Sequence, residues 1–210
     1  MTNNNLTIYC DLTVTDAKLL KEREIQMEKL SLLKLQEDIG IGFTNNEFSD
    51  MKIKCEDKIY YCHQFILSAR SPVFKAMFQS NMTEKETQEV VILDMNAQVL
   101  FEMLTFMYTG KTSAEGELLI PLLKAADKYQ LDMLKNVCIV KLCEIIEVRN
   151  CVDFLVIGDM YHAEFLKKFS LKFIAKNVSQ VCKSSDWKKI LLNYPLLMAD
   201  VIETFSKMKD

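Results

Sequence analysis

Two histidines and seven cysteines are the side chains in this sequence best suited to hold a metal or act as nucleophiles. His63 follows Cys62 directly and lies eight residues beyond Cys55. Successive residues on a strand point to opposite faces, so Cys62 and His63 cannot close one tetrahedral zinc site. His162, with Asp159 nearby and Cys151 one helical stretch away, sketches a Cys/His nucleophile pair. Nothing marks an oxyanion site or an exposed nucleophile to go with it. Cys10, Cys55, Cys62, Cys138, Cys143, Cys151 and Cys182 form no CxxC pair, and their number is odd. Most fall in apolar periodic stretches, where a free cysteine behaves as a small buried hydrophobe. Five glycines leave little room for a phosphate-cradling loop. The residues read as core and caps, so the expectation is a non-enzyme with no cofactor and no metal.

The balance of the chain agrees. Its 210 residues are 50% hydrophobic and 26% charged, the mixture of an ordinary globular protein. A net charge of −3 with interspersed signs lacks the basic face of a nucleic-acid binder. The longest uncharged run, residues 59–69, falls short of the roughly 20 residues a membrane span needs. The N-terminus has no basic start followed by an apolar run, so it does not read as a secretory signal. The triplets beginning at Asn5, Asn81 and Asn177 are therefore read as chance. Free cysteines point to a reducing compartment, so the expected location is intracellular, in the nucleus or cytoplasm or both.

Periodicity supplies the elements. Residues 6–14 alternate, with Leu6, Ile8, Cys10, Leu12 and Val14 on one face, and read as a half-buried strand with no nearby partner. From Ser31 a helix is expected, with Leu32, Leu35 and Ile39 on one stripe and Gly40 and Gly42 ending it. Met51, Ile53 and Cys55 alternate with lysines, and a turn at Glu56-Asp57 leads into KIYYCH, a hairpin. A short helix follows at Gln64–Ala69. Ser71-Pro72 then supplies an N-cap and first-turn proline for a helix carrying Val73, Phe74, Met77 and Phe78. Residues 89–93 read as a strand, and Asp94 or Asn96 can cap the next helix. That helix aligns Leu100, Met103, Leu104, Met107 and Tyr108 and stops at Gly110. Leu118, Leu119, Leu122, Leu123 and Ala126 form another stripe, and Leu131, Leu134 and Cys138 a third. Three or four more helices fill residues 149–208, one opened by Tyr194-Pro195. With no alternating βαβ order, the fold class is α+β, a small sheet wrapped by helices with an all-α extension.

Several segments then fall into one pattern. Asp50 opens the first strand and His63 ends the hairpin. ILSARS, the pair Phe74 and Phe78, Tyr108-Thr109-Gly110 and AADKYQL (residues 125–131) follow at matching spacing. Together they resemble the BTB (POZ) fold, over residues 31–145. Within that family the sequence is most similar to speckle-type POZ proteins, in which a substrate-binding MATH domain precedes the BTB. The resemblance implies residues 1–15 as a remnant of the last MATH strand, 16–30 as a linker, and 146–210 as a 3-box or partial BACK region.

It also implies a function. Such a chain dimerises and docks on cullin-3 as a substrate adaptor of a ubiquitin ligase, promoting ubiquitination and proteasomal degradation of a substrate the sequence does not name. The family's apolar-x-Glu docking motif is matched by Met82-Thr83-Glu84, with Phe78 on the preceding helix as a further contact. A Met offers a deformable apolar knob and a Glu a directional charge at the rim. Leu35, Ile39 and Ile66 fall where the family buries side chains against the twofold mate, a second copy or a related BTB chain. Gly42 departs from the leucine often found there, and Gln64 stands in place of a basic residue beside the pocket aspartate of BTB repressors. Ile202 replaces an aromatic used in a second, BACK-mediated contact. The alternative is a BTB dimerisation scaffold, transcription-related or an inhibitory heterodimer partner, without cullin recruitment.

Overall fold

A computed structural model describes residues 17–80 and 87–207 of the chain. The expected strand at 6–14 and the motif at 82–84 lie outside those residues. The first element is helix α1 (Ala17–Thr44), 28 residues long, which at 1.5 Å per residue spans about 42 Å. Two expectations change here. The stretch read as a linker at 16–30 is helical from Ala17 and continuous with the helix expected from Ser31. No Gly or Pro interrupts 17–39, and Leu, Lys, Glu and Gln dominate it, all good helix formers. Gly40 and Gly42 do not end the helix. A Cβ at Gly40 would stand 2.9 Å from Thr109 Cγ2, so this glycine lets α1 approach its neighbour closely. The helix stops instead after Thr44, with Asn46 left-handed at φ 58°.

A three-stranded sheet follows in the order β2-β1-β3, where β1 is Met51–Cys55, β2 is Lys58–Cys62 and β3 is Glu89–Ile92. The β1–β2 hairpin is antiparallel and turns at Glu56 and Asp57, as its alternation predicts. The β1–β3 pair is parallel, with Ile53 opposite Val90. Met51, Ile53 and Cys55 are buried while Lys52 and Lys54 are exposed, so one face of the sheet meets the core.

Between β2 and β3 come α2 (Gln64–Arg70) and α3 (Pro72–Ser80). Ser71 Oγ accepts from the Phe74 N–H at 3.2 Å, the expected N-cap. Helix α4 (Ala97–Thr109) is capped by Asn96, whose side chain accepts from the Val99 N–H, and ends at left-handed Gly110. Asn96 rather than Asp94 is the cap, because Asp94 pairs with Lys128. Helices α5 (Leu119–Lys128) and α6 (Asp132–Glu144) complete the first body. Its core runs from Phe43 through the sheet, α4 and α5 to α6, and includes Phe154 and Leu166 of the extension.

The C-terminal extension holds five helices among the described residues, one more than the sequence suggests. They are α7 (Cys151–Met160), α8 (Glu164–Lys176), the single turn α9 (Val178–Val181), α10 (Ser185–Asn193) and α11 (Pro195–Lys207). They enclose a second core around Leu155, Ile174, Val181, Ile190, Leu197 and Val201. Gly158 permits the tight crossing of α7 and α8, since a Cβ there would stand 2.7 Å from the Lys167 backbone nitrogen. Lys167 of α8 then ties α7 to α11, pairing with Asp159 at 2.8 Å and Asp200 at 2.9 Å. Those hydrogen bonds hold its ammonium up at about 12.

Candidate interaction surfaces

The residues with chemical potential are structural. His63 is clasped on three sides. Its backbone N–H donates to the Tyr108 hydroxyl at 2.7 Å, and its ring Nδ1 lies 3.0 Å from that same hydroxyl. Its Nε2 lies 2.6 Å from the Glu47 carbonyl, which can only accept, so Nε2 carries the proton and Nδ1 accepts from Tyr108. No nitrogen is left for a metal. Among the described residues no cluster of His, Cys, Asp and Glu could hold a metal ion. Burial pushes the Cys62 thiol up to about 12 and that of Cys151 up to about 11, the opposite of what a nucleophile needs. The Asp159 carboxylate pairs with Lys167, while the His162 backbone N–H donates to the Asp159 carbonyl at 3.2 Å. No helix among the described residues is long and apolar enough to cross a membrane.

The segments expected to matter for docking converge on one support. Phe74 is fully buried, with its ring stacked 4.8 Å from Tyr129 and 5.9 Å from Phe78. Ser71 Oγ, while capping α3, donates to the Tyr129 carbonyl at 2.7 Å. Helix α3 is thereby locked to residues 125–131, which end α5 and turn through left-handed Gln130 into α6. Phe78 is only 3% exposed. Its side chain belongs to the core, where it packs beside Phe74 and helps to hold α3 in place. Its i+4 spacing from Phe74 already signals one shared face.

The dimer-face candidates separate by burial. Leu35 is 56% exposed, while Ile39 and Ile66 are half-buried on the edge of the core. They border a groove between α1, α2 and α4 lined by Gln36, Ile39, Phe65, Ile66, Met107 and Tyr108. Phe65, which sequence reasoning passed over, stands 80% exposed beside them. Its signal is the α2 period: Leu67 alone of that helix is buried, which leaves Phe65 off the core face. Asp50 accepts from the Gln64 N–H at 2.7 Å, so this carboxylate caps the start of α2.

Sequence reasoning also missed Glu102, a charged side chain only 6% exposed. Burial would raise its carboxyl. Hydrogen bonds from the Ser113 and Thr112 hydroxyls and from the Ser113 and Ala114 N–H groups instead hold it below the ordinary range. Lys141 grips the same loop through the Ala114 carbonyl at 2.8 Å.

The family model described as BTB/POZ domain matches residues 42–146. The mouse (Mus musculus) "TD and POZ domain-containing protein 1" is 35% identical over 207 residues, covering 97% of this chain and 57% of the relative. The mouse "TD and POZ domain-containing protein 1-like" is 33% identical over the same extent. The chain thus spans a little over half the length of the curated relatives it matches. The solved "BTB domain of zebrafish PATZ1" is 19% identical and covers 61% of this chain and 94% of that one, at a TM-score of 0.43. Members of the matched family are interaction modules that mediate homo- or heterodimerisation. With its three-stranded sheet, its wrapping helices and a family match over half its length, this chain belongs to the BTB/POZ domain family.

Proposed function

We propose that the chain is a dimeric adaptor that docks on cullin-3, as speckle-type POZ proteins do, and so brings substrates to a ubiquitin ligase. The observation that carries this reading is the lock between α3 and residues 125–131. Ser71, Phe74, Phe78 and Tyr129 hold the end of α3 in register with the start of α6. Met82-Thr83-Glu84 follows that end in sequence, so a motif and a rigid support are joined. A shallow docking motif needs such a support, because loop ordering on binding opposes affinity. Leu35, Ile39 and Ile66 carry the dimer contact, and Leu35 is the most exposed of the three. Obligate twofold interfaces bury roughly 2,000 Å² or more, and the groove at Phe65 adjoins Ile39 and Ile66.

The test is titration calorimetry with the N-terminal domain of cullin-3. Met82→Ala with Glu84→Lys removes a knob and reverses a charge, and affinity should fall by several kcal/mol if both are hot spots, at about 2 kcal/mol or more each. Binding as tight as wild type refutes the docking assignment and leaves a dimerisation scaffold.

A further inference from the structure

The sheet turns one face to the core and leaves the other open. On the open face Lys52 stands between Tyr61 of β2 and Glu89 of β3, and Lys54 between Ile59 and Val91, as the cross-strand register requires. Ile59 is 47% exposed, Tyr61 38% and Val91 53%, and Leu93, just beyond β3, is 90% exposed. The usual placement of charge is inverted. Lysines commonly guard the edge strands of a sheet against further pairing, but here they occupy the central strand while both edges carry apolar side chains.

Neither lysine is neutralised. Among the described residues no carboxylate forms an ion pair with Lys52 or Lys54, although Glu89 stands opposite Lys52 in the register. The Lys52 ammonium lies instead 5.9 Å from the Tyr61 ring centroid. Side chains two apart on a strand stand roughly 7 Å apart, so the pair presents two positive charges at the spacing of alternate residues in an extended chain. Beside them, Ile59 and Tyr61 wall a cavity of about 340 Å³ together with Phe43, Phe101 and Thr105. The Thr105 hydroxyl is buried and has no hydrogen-bond partner among the described residues, so an apolar seat holds one unsatisfied polar atom. The face itself is three strands wide, about 10 Å across, and about 17 Å long. That is far below the roughly 800 Å² each partner contributes to a stable protein interface, so it suits a short segment and not a second copy of the chain.

We infer that the open sheet face docks a short, extended, acidic segment of another protein, with carboxylates over Lys52 and Lys54 and apolar side chains against Ile59, Val91 and the cavity beside β2. Opposite charge sets the register of such a segment, and the apolar edges on either side exclude water from it. The face shares no residue with Leu35, Ile39 and Ile66 or with Met82 and Glu84, so the inference stands without the cullin reading. Where that reading holds, the protein that owns the segment is delivered to the ligase.

The probe is a phage library of random decapeptides, selected on the full chain after depletion on the Lys52→Glu/Lys54→Glu variant, which keeps every other surface. Enriched peptides should combine Asp or Glu with Leu, Ile, Val or Phe. In fluorescence polarisation, one such peptide should bind the charge-reversed variant about tenfold or more weakly than wild type. Lys52→Arg with Lys54→Arg, which keeps both charges, should stay within about threefold. Ile59→Thr with Val91→Thr keeps β-branched residues in the strands and should weaken binding about fivefold. Circular dichroism and the oligomeric state of each variant should match wild type, which separates loss of the site from loss of the fold. No enrichment after depletion, or enriched peptides without acidic residues, overturns the inference. Equal binding by the charge-reversed or by the Ile59/Val91 variant overturns it as well. So does competition by a single-stranded DNA oligomer at similar concentration, because the lysines would then be reading phosphate.

Discussion

Removing one oxygen atom tests whether His63 and Tyr108 hold the fold together as described. In Tyr108→Phe the ring keeps its stack on Phe43, whose centroid lies 4.3 Å away, so packing is conserved. What disappears is the hydroxyl that accepts the His63 N–H at 2.7 Å and meets the ring Nδ1 at 3.0 Å. Tyr108 is 4% exposed, so water does not readily replace that oxygen. One unsatisfied donor in such a place costs about 1–3 kcal/mol. The orphaned Nδ1 adds to that, although His63 is only partly buried and solvent compensates for part of the loss. A destabilisation of about 2 kcal/mol follows, which for a chain of this size is roughly 4–8 °C in Tm. Thermal unfolding by circular dichroism reads it directly. His63→Ala should cost a similar amount, and the double variant should cost clearly less than the two together, because each has already broken the same bonds. A Tyr108→Phe variant within about 0.5 kcal/mol of wild type, or strict additivity with His63→Ala, refutes the coupling.

Other outcomes follow from single contacts. Leu35→Glu with Ile39→Glu should run as a monomer by light scattering at micromolar concentration, because both charges enter the twofold contact. Gly158→Ala should destabilise the extension by about 1–3 kcal/mol, since its Cβ would press on the Lys167 backbone at 2.7 Å, while Gly42→Ala, with open space around it, should gain up to about 1 kcal/mol in helix propensity; chemical denaturation measures both. Glu102, with its carboxyl held low, stabilises the fold above the ordinary carboxylate range and loses that contribution as pH falls through its folded value. Glu102→Gln should therefore lower stability near neutral pH and flatten the acid limb of the stability curve, seen as Tm against pH.

Much of the fold was legible because its local signals agree with its tertiary contacts. The alternation from Met51 to Cys55, the Ser71-Pro72 start and the Gly110 stop each produced the element they predict. Where local and tertiary forces part, the sequence misleads. Gly40 carries a helix-breaking signal, but its value is a close contact with Thr109, invisible until α4 is placed. Leu32 and Leu35 form a stripe like any core stripe, and only the packed body shows that both stand exposed. Phe78 was singled out for a partner and is held inside. Glu102 could not be found at all, because its partners Thr112 and Ser113 lie across a loop with no periodicity.

The side chains that tie the frame together differ from those proposed to carry the dimer contact. Asp50 caps α2, His63 joins the hairpin to α4, and Ser71 and Tyr129 fasten α3 to the start of α6. Each is a long-range bond between elements that carry outward-facing side chains. Such bonds fix where α1, α2 and α3 sit without dictating what they display, so the display can vary while the frame persists. In this division the histidine, tyrosine and serine of the family pattern serve as structural ties. It also ties the proposed surfaces to the core. Loosening the His63–Tyr108 contact should weaken dimerisation as well as stability, because Tyr108 and Ile66 line the same groove. A variant such as Tyr108→Phe that lost stability while keeping its dimer constant unchanged would show that frame and surface are independent.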